Sequence, residues 1–475
     1  MRTAAVLLLF ILASSPATAQ PAPDFASSFT TRTMRVDYFH TGGMGTEIFS
    51  LDRVLDDGEW AGSRTRLLDD TNLGKYRFEV IDEAGSRPIY SRGLASIYGE
   101  WETTAEARGS HRTFHESLRL PWPKRRVRIA LSKRQPDQSF TEVWSTVVDP
   151  DSRFVNRARL EPLGTVWTVF EHGDPSEKVD IVILADGYTA AERDKFHADV
   201  QRLVATLFEV EPFKSRRRDF NVRAVDLASS ESGIHRTRGN APRRTPLSME
   251  FNIFDVERYA LTFDNRRMRD IASAAPYEFI EILGNDRTYG GGGIFNDHAT
   301  ATVDSAYSVY VFIHEFAHHF AALADEYYTS DVAYETGAAR HPEPWEPNVT
   351  AMHDAAALKW RDLVAAGTPL PTPWDKGAYE QKSRDFQERR RKLRERGAPE
   401  TEMNALFREQ ENWEKAFLSG EKYAGMVGAF EGAAYEVNGL YRPELDCIMF
   451  TRNPVGFCRV CRRGIERIID LYASR

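Results

Sequence analysis

From about Met34 to about Arg159 polar and apolar residues alternate. Runs such as Tyr76-Arg-Phe-Glu-Val-Ile81 and Arg126-Val-Arg-Ile-Ala-Leu131 send every second side chain to one face, the period of a half-buried strand. Asp56-Asp-Gly58 and Glu83-Ala-Gly85 supply turns between such runs. No helix-period run interrupts the pattern, which predicts an antiparallel β-sandwich of about 120 residues.

Near Lys178 the pattern changes. Val179-Asp-Ile-Val-Ile-Leu-Ala185 is nearly continuous and apolar, as a strand buried on both faces should be. Thr189-Ala-Ala-Glu192 has the form of a capping box, and Phe196, Val200, Leu203, Val204, Leu207 and Phe208 recur behind it at helical spacing. A second strand is expected over Phe220 to Leu227. Strand, helix and strand open an α/β unit. The fold class is therefore α+β, with an N-terminal unit over 20–160 and a catalytic unit over 161–475. The charged stretch 376–419, broken at Gly397-Ala-Pro399, reads as a helical hairpin inserted into that unit and exposed to solvent. Tyr289-Gly-Gly-Gly-Gly293 lacks the Lys-Ser/Thr of a phosphate loop and reads as a flexible turn beside an active-site edge.

The 475 residues are 42% hydrophobic and carry a net charge of −8, which allows sizeable cores and gives no global nucleic-acid signal. Met1-Arg2, the apolar run Val6–Leu12 and Ala17-Thr18-Ala19 form a signal peptide over 1–19, with cleavage expected after Ala19. That run is too short to span a bilayer, so a secreted or periplasmic protein without stable membrane insertion is expected. Export permits disulfides. Cys447, Cys458 and Cys461 offer only three thiols, and no nearby histidine completes a zinc set, so a disulfide from Cys447 to Cys458 or Cys461 is expected.

The chemistry centres on His314-Glu-Phe-Ala-His318, inside an apolar run from Val309 with Ser305 as a candidate N-cap. At i and i+4 the two imidazoles leave one helix face a turn apart, the placement that two ligands of one zinc ion require. Glu315 then sits where its carboxylate reaches a water held at the metal, as general base. His319 points off that face. A catalytic zinc takes three protein ligands. The metzincin position for the third is occupied by Ala324, so Asp325 is ranked first, Glu326 second and Glu335 third. Ala321 and Ala322 stand where glycine would turn the chain most easily, so the chain is expected to run slightly further before turning, which favours Asp325.

His314-Glu-Phe-Ala-His-His-Phe-Ala-Ala-Leu-Ala-Asp-Glu-Tyr-Tyr328 resembles the bacterial IgA-peptidase family of zinc metallopeptidases, which is metzincin-like. Ile183-Leu-Ala-Asp-Gly-Tyr188, the Tyr289 glycine run, Tyr441-Arg-Pro443, Cys447-Ile-Met449 and Phe457-Cys-Arg-Val-Cys461 resemble it too. The family pattern has small residues, glycine among them, at the positions of Ala317 and Ala322. The resemblance implies a zincin-like endopeptidase behind an N-terminal β-sandwich, acting on a protein or peptide substrate; it does not assign immunoglobulin A. Cys447-Ile-Met449 resembles a metzincin Met-turn. Tyr441, Tyr327 and Tyr328 are candidates for steadying an oxyanion. Two other readings stand beside the peptidase: a secreted binding protein with a vestigial zinc helix, and a zinc hydrolase of a non-peptide amide.

Overall fold

The computed structural model describes residues 23–237, 241–329 and 341–473. The segment read as a signal peptide and Glu335 lie outside the described residues. After a single turn, α1 (Phe25–Ser28), the N-terminal unit builds two four-stranded sheets. Its strands are β1 (Phe29–Gly43), β2 (Thr46–Glu59), β3 (Tyr76–Asp82), β4 (Arg87–Leu94), β5 (Arg112–Pro123), β6 (Val127–Arg134), β7 (Phe140–Val148) and β8 (Val155–Asn156). The sheet orders are β5-β1-β2-β8 and β4-β3-β6-β7. Val36, Tyr38, Leu118 and Leu120 of the first sheet share one apolar cluster with Phe78, Val80, Ile129 and Leu131 of the second. One short helix, α2 (Ile97–Trp101), interrupts the strands, a feature too brief to give a helical period.

The larger unit holds a six-stranded sheet in the order β15-β16-β14-β10-β11-β9. Its strands are β9 (Thr165–Phe170), β10 (Val179–Asp186), β11 (Phe220–Asp226), β14 (Phe279–Gly284), β15 (Gly291–Ile294) and β16 (His298–Thr302); β12 (Glu250–Phe251) and β13 (Ala260–Leu261) pair separately. The four inner strands are parallel, and β9 and β15 are antiparallel edges. On β10, Ile181 and Ile183 join the core beneath α3 (Arg193–Leu207) and α5 (Ser308–Ala321), while Val182 and Leu184 join a second core with Met268 and Ile271 of α4 (Asn265–Ala272). Burial on both faces explains its unbroken apolar run. Glu192 accepts hydrogen bonds from the Thr189 amide and hydroxyl, each at 2.9 Å, at the start of α3.

The charged stretch forms two helices, α6 (Lys376–Glu395) and α7 (Glu400–Ser419). Most of its residues are exposed or half-buried, as its charge suggests, but one seam is not free. Tyr379, Phe386, Met403, Leu406 and Phe407 enter the main core. The charges pair locally instead, as in Arg389–Glu409 at 2.7 Å. A two-stranded hairpin, β17 (Phe430–Ala433) and β18 (Glu436–Arg442), and the terminal helix α8 (Arg459–Tyr472) complete the unit.

The two units meet through buried charge. Arg35 of β1 is fully buried and donates to Asp37 at 2.9 Å, to Asp57 at 2.7 Å and to Asp270 of α4. Removing one partner of such a cluster strands the others without water. Arg35→Ala is expected to lower the unfolding free energy by about 3–5 kcal/mol, read by guanidinium titration; a change below 1 kcal/mol would show the cluster to be dispensable.

Candidate metal centre

Helix α5 packs on β14, β15 and β16. Its N-cap is Tyr307 and not Ser305, whose hydroxyl accepts from the Tyr307 amide at 3.2 Å one turn earlier. The glycine run is not a turn. It forms the edge strand β15, laid against the helix. A Cβ on Gly293 would stand 2.2 Å from the Glu315 carbonyl oxygen, and one on Gly291 would stand 2.6 Å from Val311 Cγ1. Only glycine permits this approach of strand to helix.

His314 and His318 face the same point. A backbone carbonyl only accepts, so each Nδ1 carries a proton: His314 Nδ1 donates to Ile448 O at 3.0 Å and His318 Nδ1 to Leu323 O. Each Nε2 is thereby the ring nitrogen that faces Asp325, where it holds either a second proton or a metal ion. The two Nε2 atoms lie 3.1 Å apart, and Asp325 Oδ1 lies 2.9 Å from His314 Nε2 and 3.2 Å from His318 Nε2. Tetrahedral ligands at about 2.0–2.1 Å from one ion stand about 3.3 Å apart, so these three donors fit a divalent cation. A Glu315 carboxylate oxygen lies within 4.8 Å of both imidazoles.

Asp325 reaches the histidines because α5 ends at Ala321 and Ala322 takes a left-handed conformation, φ 56° and ψ 31°. The chain does not run further before turning, as the lack of glycine suggests. Alanine accepts the left-handed cost of about 1–2 kcal/mol. Beyond the turn the backbone is clamped. Asn348 binds both the Ala324 amide and its carbonyl, at 2.8 and 2.9 Å; Met449 O accepts from the Glu326 amide at 2.8 Å; and Asp325 O accepts from the Ala434 amide at 3.0 Å. Glu326, ranked second as a ligand, turns the other way, toward the cysteines.

Sequence reasoning missed two groups. Tyr435, at the tip between β17 and β18, donates its hydroxyl to Asp325 Oδ2 and lies 3.3 Å from the Tyr327 hydroxyl. Arg258 donates to the Tyr327 hydroxyl at 3.0 Å. Neither sits in a motif. Of the three candidate tyrosines only Tyr327 lines the site. Tyr328 is buried against Phe450, and Tyr441 pairs its backbone with Thr350. Met449 is fully buried in the turn below His314, where Ile448 O meets that imidazole.

Burial raises the Glu315 carboxyl above the usual range, against the pull of the His314 and His318 charges. Burial lowers His318, but the Asp325 carboxylate more than reverses this and pushes it up to about 9. Asp325 would be raised by burial; the His318 charge and both imidazole bonds hold it well below the ordinary range. The site opens to a cleft of about 390 Å³ lined by Glu315, His318, Asp325 and Tyr435, by Gly293 of the edge strand, and by Ser96 and Glu100 of the N-terminal unit. A smaller cavity on the other side of Glu315 is lined by Arg390 and Gln410 of the helical hairpin.

A family model described as IgA Peptidase M64 matches residues 168–469, and one described as Peptidase M64 N-terminus matches residues 24–145. No curated protein matches the chain.

His319 points away from the site and pins α5 to the sheet. Its Nδ1 donates to Ile294 O at 3.0 Å, and its Nε2 accepts from the Ile280 amide at 3.2 Å. Burial lowers its pKa to about 3. Its folded value lies below the unfolded value of about 6.5, so the folded protein keeps it neutral while the unfolded chain protonates as pH falls. Imidazole nitrogen NMR is expected to find His319 neutral from pH 8 to pH 5; a titration with a midpoint near 6.5 would contradict this placement.

Proposed function

The chain belongs to the IgA Peptidase M64 family, and from that premise we propose that it is a secreted, zinc-dependent endopeptidase. The observation that carries the reading is the convergence of His314 Nε2, His318 Nε2 and Asp325 Oδ1 within 2.9–3.2 Å of one another, with Glu315 alongside. Two imidazoles and a carboxylate with an open position suit zinc in a hydrolase. The chemistry that bound zinc supplies is Lewis acidity, which acidifies water and polarises a carbonyl. Glu315 accepts the proton of the attacking water and returns it to the leaving amine. Tyr435 orients Asp325, and with Tyr327 and Arg258 it puts hydroxyl and positive charge beside the place where negative charge develops on the substrate oxygen. The substrate is a protein or peptide, lying along the cleft past Gly293.

The same reading takes the N-terminal unit as a β-sandwich, supported by two sheets over one core, and the larger unit as zincin-like, supported by a motif helix packed beside an antiparallel edge strand. No helix among the described residues is long and apolar enough to cross a membrane.

Glu315→Gln is expected to keep its zinc and lose turnover by about 10²–10⁴-fold. Asp325→Ala is expected to lose both, because a ligand is removed. The measurements are metal analysis and mass spectrometry of products from a peptide library. Wild-type turnover in Glu315→Gln would remove the general base. Intact peptide bonds in a zinc-loaded wild-type protein would favour a binding protein or a non-peptide amidase instead. Export is expected to leave Gln20 as the first residue, and the intact mass of the protein recovered from outside the cytoplasm checks it; a retained N-terminus would refute export by this signal.

A further inference from the structure

The three cysteines do not form the disulfide that export suggests. All are free and buried, with Cys447 Sγ 3.8 Å from Cys461 Sγ. Nor are they short of a fourth donor. Glu326, fully buried and more than a hundred residues away in sequence, brings Oε1 to 3.2 Å from Cys461 Sγ. One ligand atom from each of Glu326, Cys447, Cys458 and Cys461 lies within 4.8 Å of all the others. We propose that these four residues bind a second, structural zinc ion.

Four arguments carry the site. A tetrahedral zinc with bonds of about 2.3 Å to sulfur separates its sulfurs by about 3.8 Å, which is the separation found here. Second, the sulfurs already act as acceptors: Cys447 Sγ accepts from the Cys458 amide at 3.3 Å, and Cys458 Sγ accepts from the Cys461 amide at 3.4 Å at the first turn of α8. These amides stand where they would support sulfur ligands of a metal ion. Third, Glu326 Oε1 accepts from Asn348 at 3.0 Å, but Oε2 is buried without a partner among the described residues. An oxygen so deeply buried calls for a partner, a proton or a cation, and the neighbouring sulfurs offer a cation its other ligands. Fourth, three soft sulfurs and one carboxylate oxygen, all from buried residues, make a four-donor set that suits zinc.

On binding, the thiols release their protons to solvent and the metal exchanges no electrons. The site ties Glu326, the start of α8 and the turn at Cys447 into one knot. That turn carries the Ile448 carbonyl that orients His314, and Glu326 follows Asp325 directly. The second metal would thus hold in place the supports of the first.

The test uses the full-length protein produced with zinc. Metal analysis is expected to find two zinc ions per chain, falling to one in the His314→Ala/His318→Ala double variant and to one in Cys458→Ser. The double variant separates the two sites, because failure of the catalytic reading leaves its thiolate-bound metal in place. Should Cys458→Ser not fold, the wild-type protein decides. Exchanged with cobalt(II), it is expected to gain a sulfur-to-metal charge-transfer band that the double variant keeps. Its three thiols should resist iodoacetamide until chelator and denaturant are both present. A protein that takes one alkyl group under those conditions without reductant holds a disulfide, and that result overturns the proposal. So does a cobalt spectrum without the sulfur band.

Discussion

The reversal of the chain at Ala322 is the constraint on which the rest of the site depends. A helix that presents His314 and His318 on one face offers two donors and no third. Asp325 comes to the same point because the chain stops being helical within one turn of His318 and doubles back. Ala322 achieves this in a left-handed conformation that glycine would adopt more easily. The strain of an alanine there persists only because the segment beyond is over-determined. Asn348 holds Ala324, the tip of the β17–β18 hairpin holds Asp325 and Tyr327, and the turn at Met449 holds Glu326. Three segments distant in sequence thus converge on four residues.

Such a convergence buries many polar groups, and most of them are partnered in series. Arg258 bonds Tyr327, Tyr327 meets Tyr435, Tyr435 bonds Asp325, and Asp325 meets both imidazoles. Each member aligns the next, so the carboxylate has little freedom to rotate away from the point it shares with the histidines. This is outer-shell support of the kind a ligating carboxylate requires. Its parts come from three regions of the chain: Arg258 before the motif helix, Tyr327 just after it, and Tyr435 more than a hundred residues later.

That dispersal sets what could be read in the sequence. The strand at Val179, the capping box at Thr189 and the i, i+4 histidines are local patterns, and the chain repeats them in three dimensions. Asp325 could be reached by counting from His318, although the supposed delay of the turn was mistaken: the left-handed residue is Ala322 itself. What could not be read depends on distant contacts. A run of glycines looks like a flexible turn until a helix backbone is known to lie 2.2 Å from where a Cβ would stand. A charged stretch looks solvated until its few apolar residues, Tyr379, Phe386 and Phe407, are seen in the core. Three cysteines near the C-terminus offer too few ligands by themselves, and only the fold brings the Glu326 carboxyl beside them.

The N-terminal unit is part of the same machinery. Its β1 arginine, Arg35, is fully buried and bound to Asp270 of the larger unit, and Tyr277 of the larger unit donates to Asp57 at 3.1 Å. Buried charges paired across an interface resist sliding, because any shift that parts them exposes an unpaired ion to an apolar surround. The interface therefore behaves as a fixed joint. It has to be fixed, since α2 and its flanks supply one wall of the cleft: Ser96 and Glu100 face Asp325 and Tyr435 across it, and Glu100 accepts a hydrogen bond from Tyr259 of the larger unit. A peptide in this cleft would touch both units at once. Its fit would depend on the α2 wall as well as on the helix that carries His314 and His318.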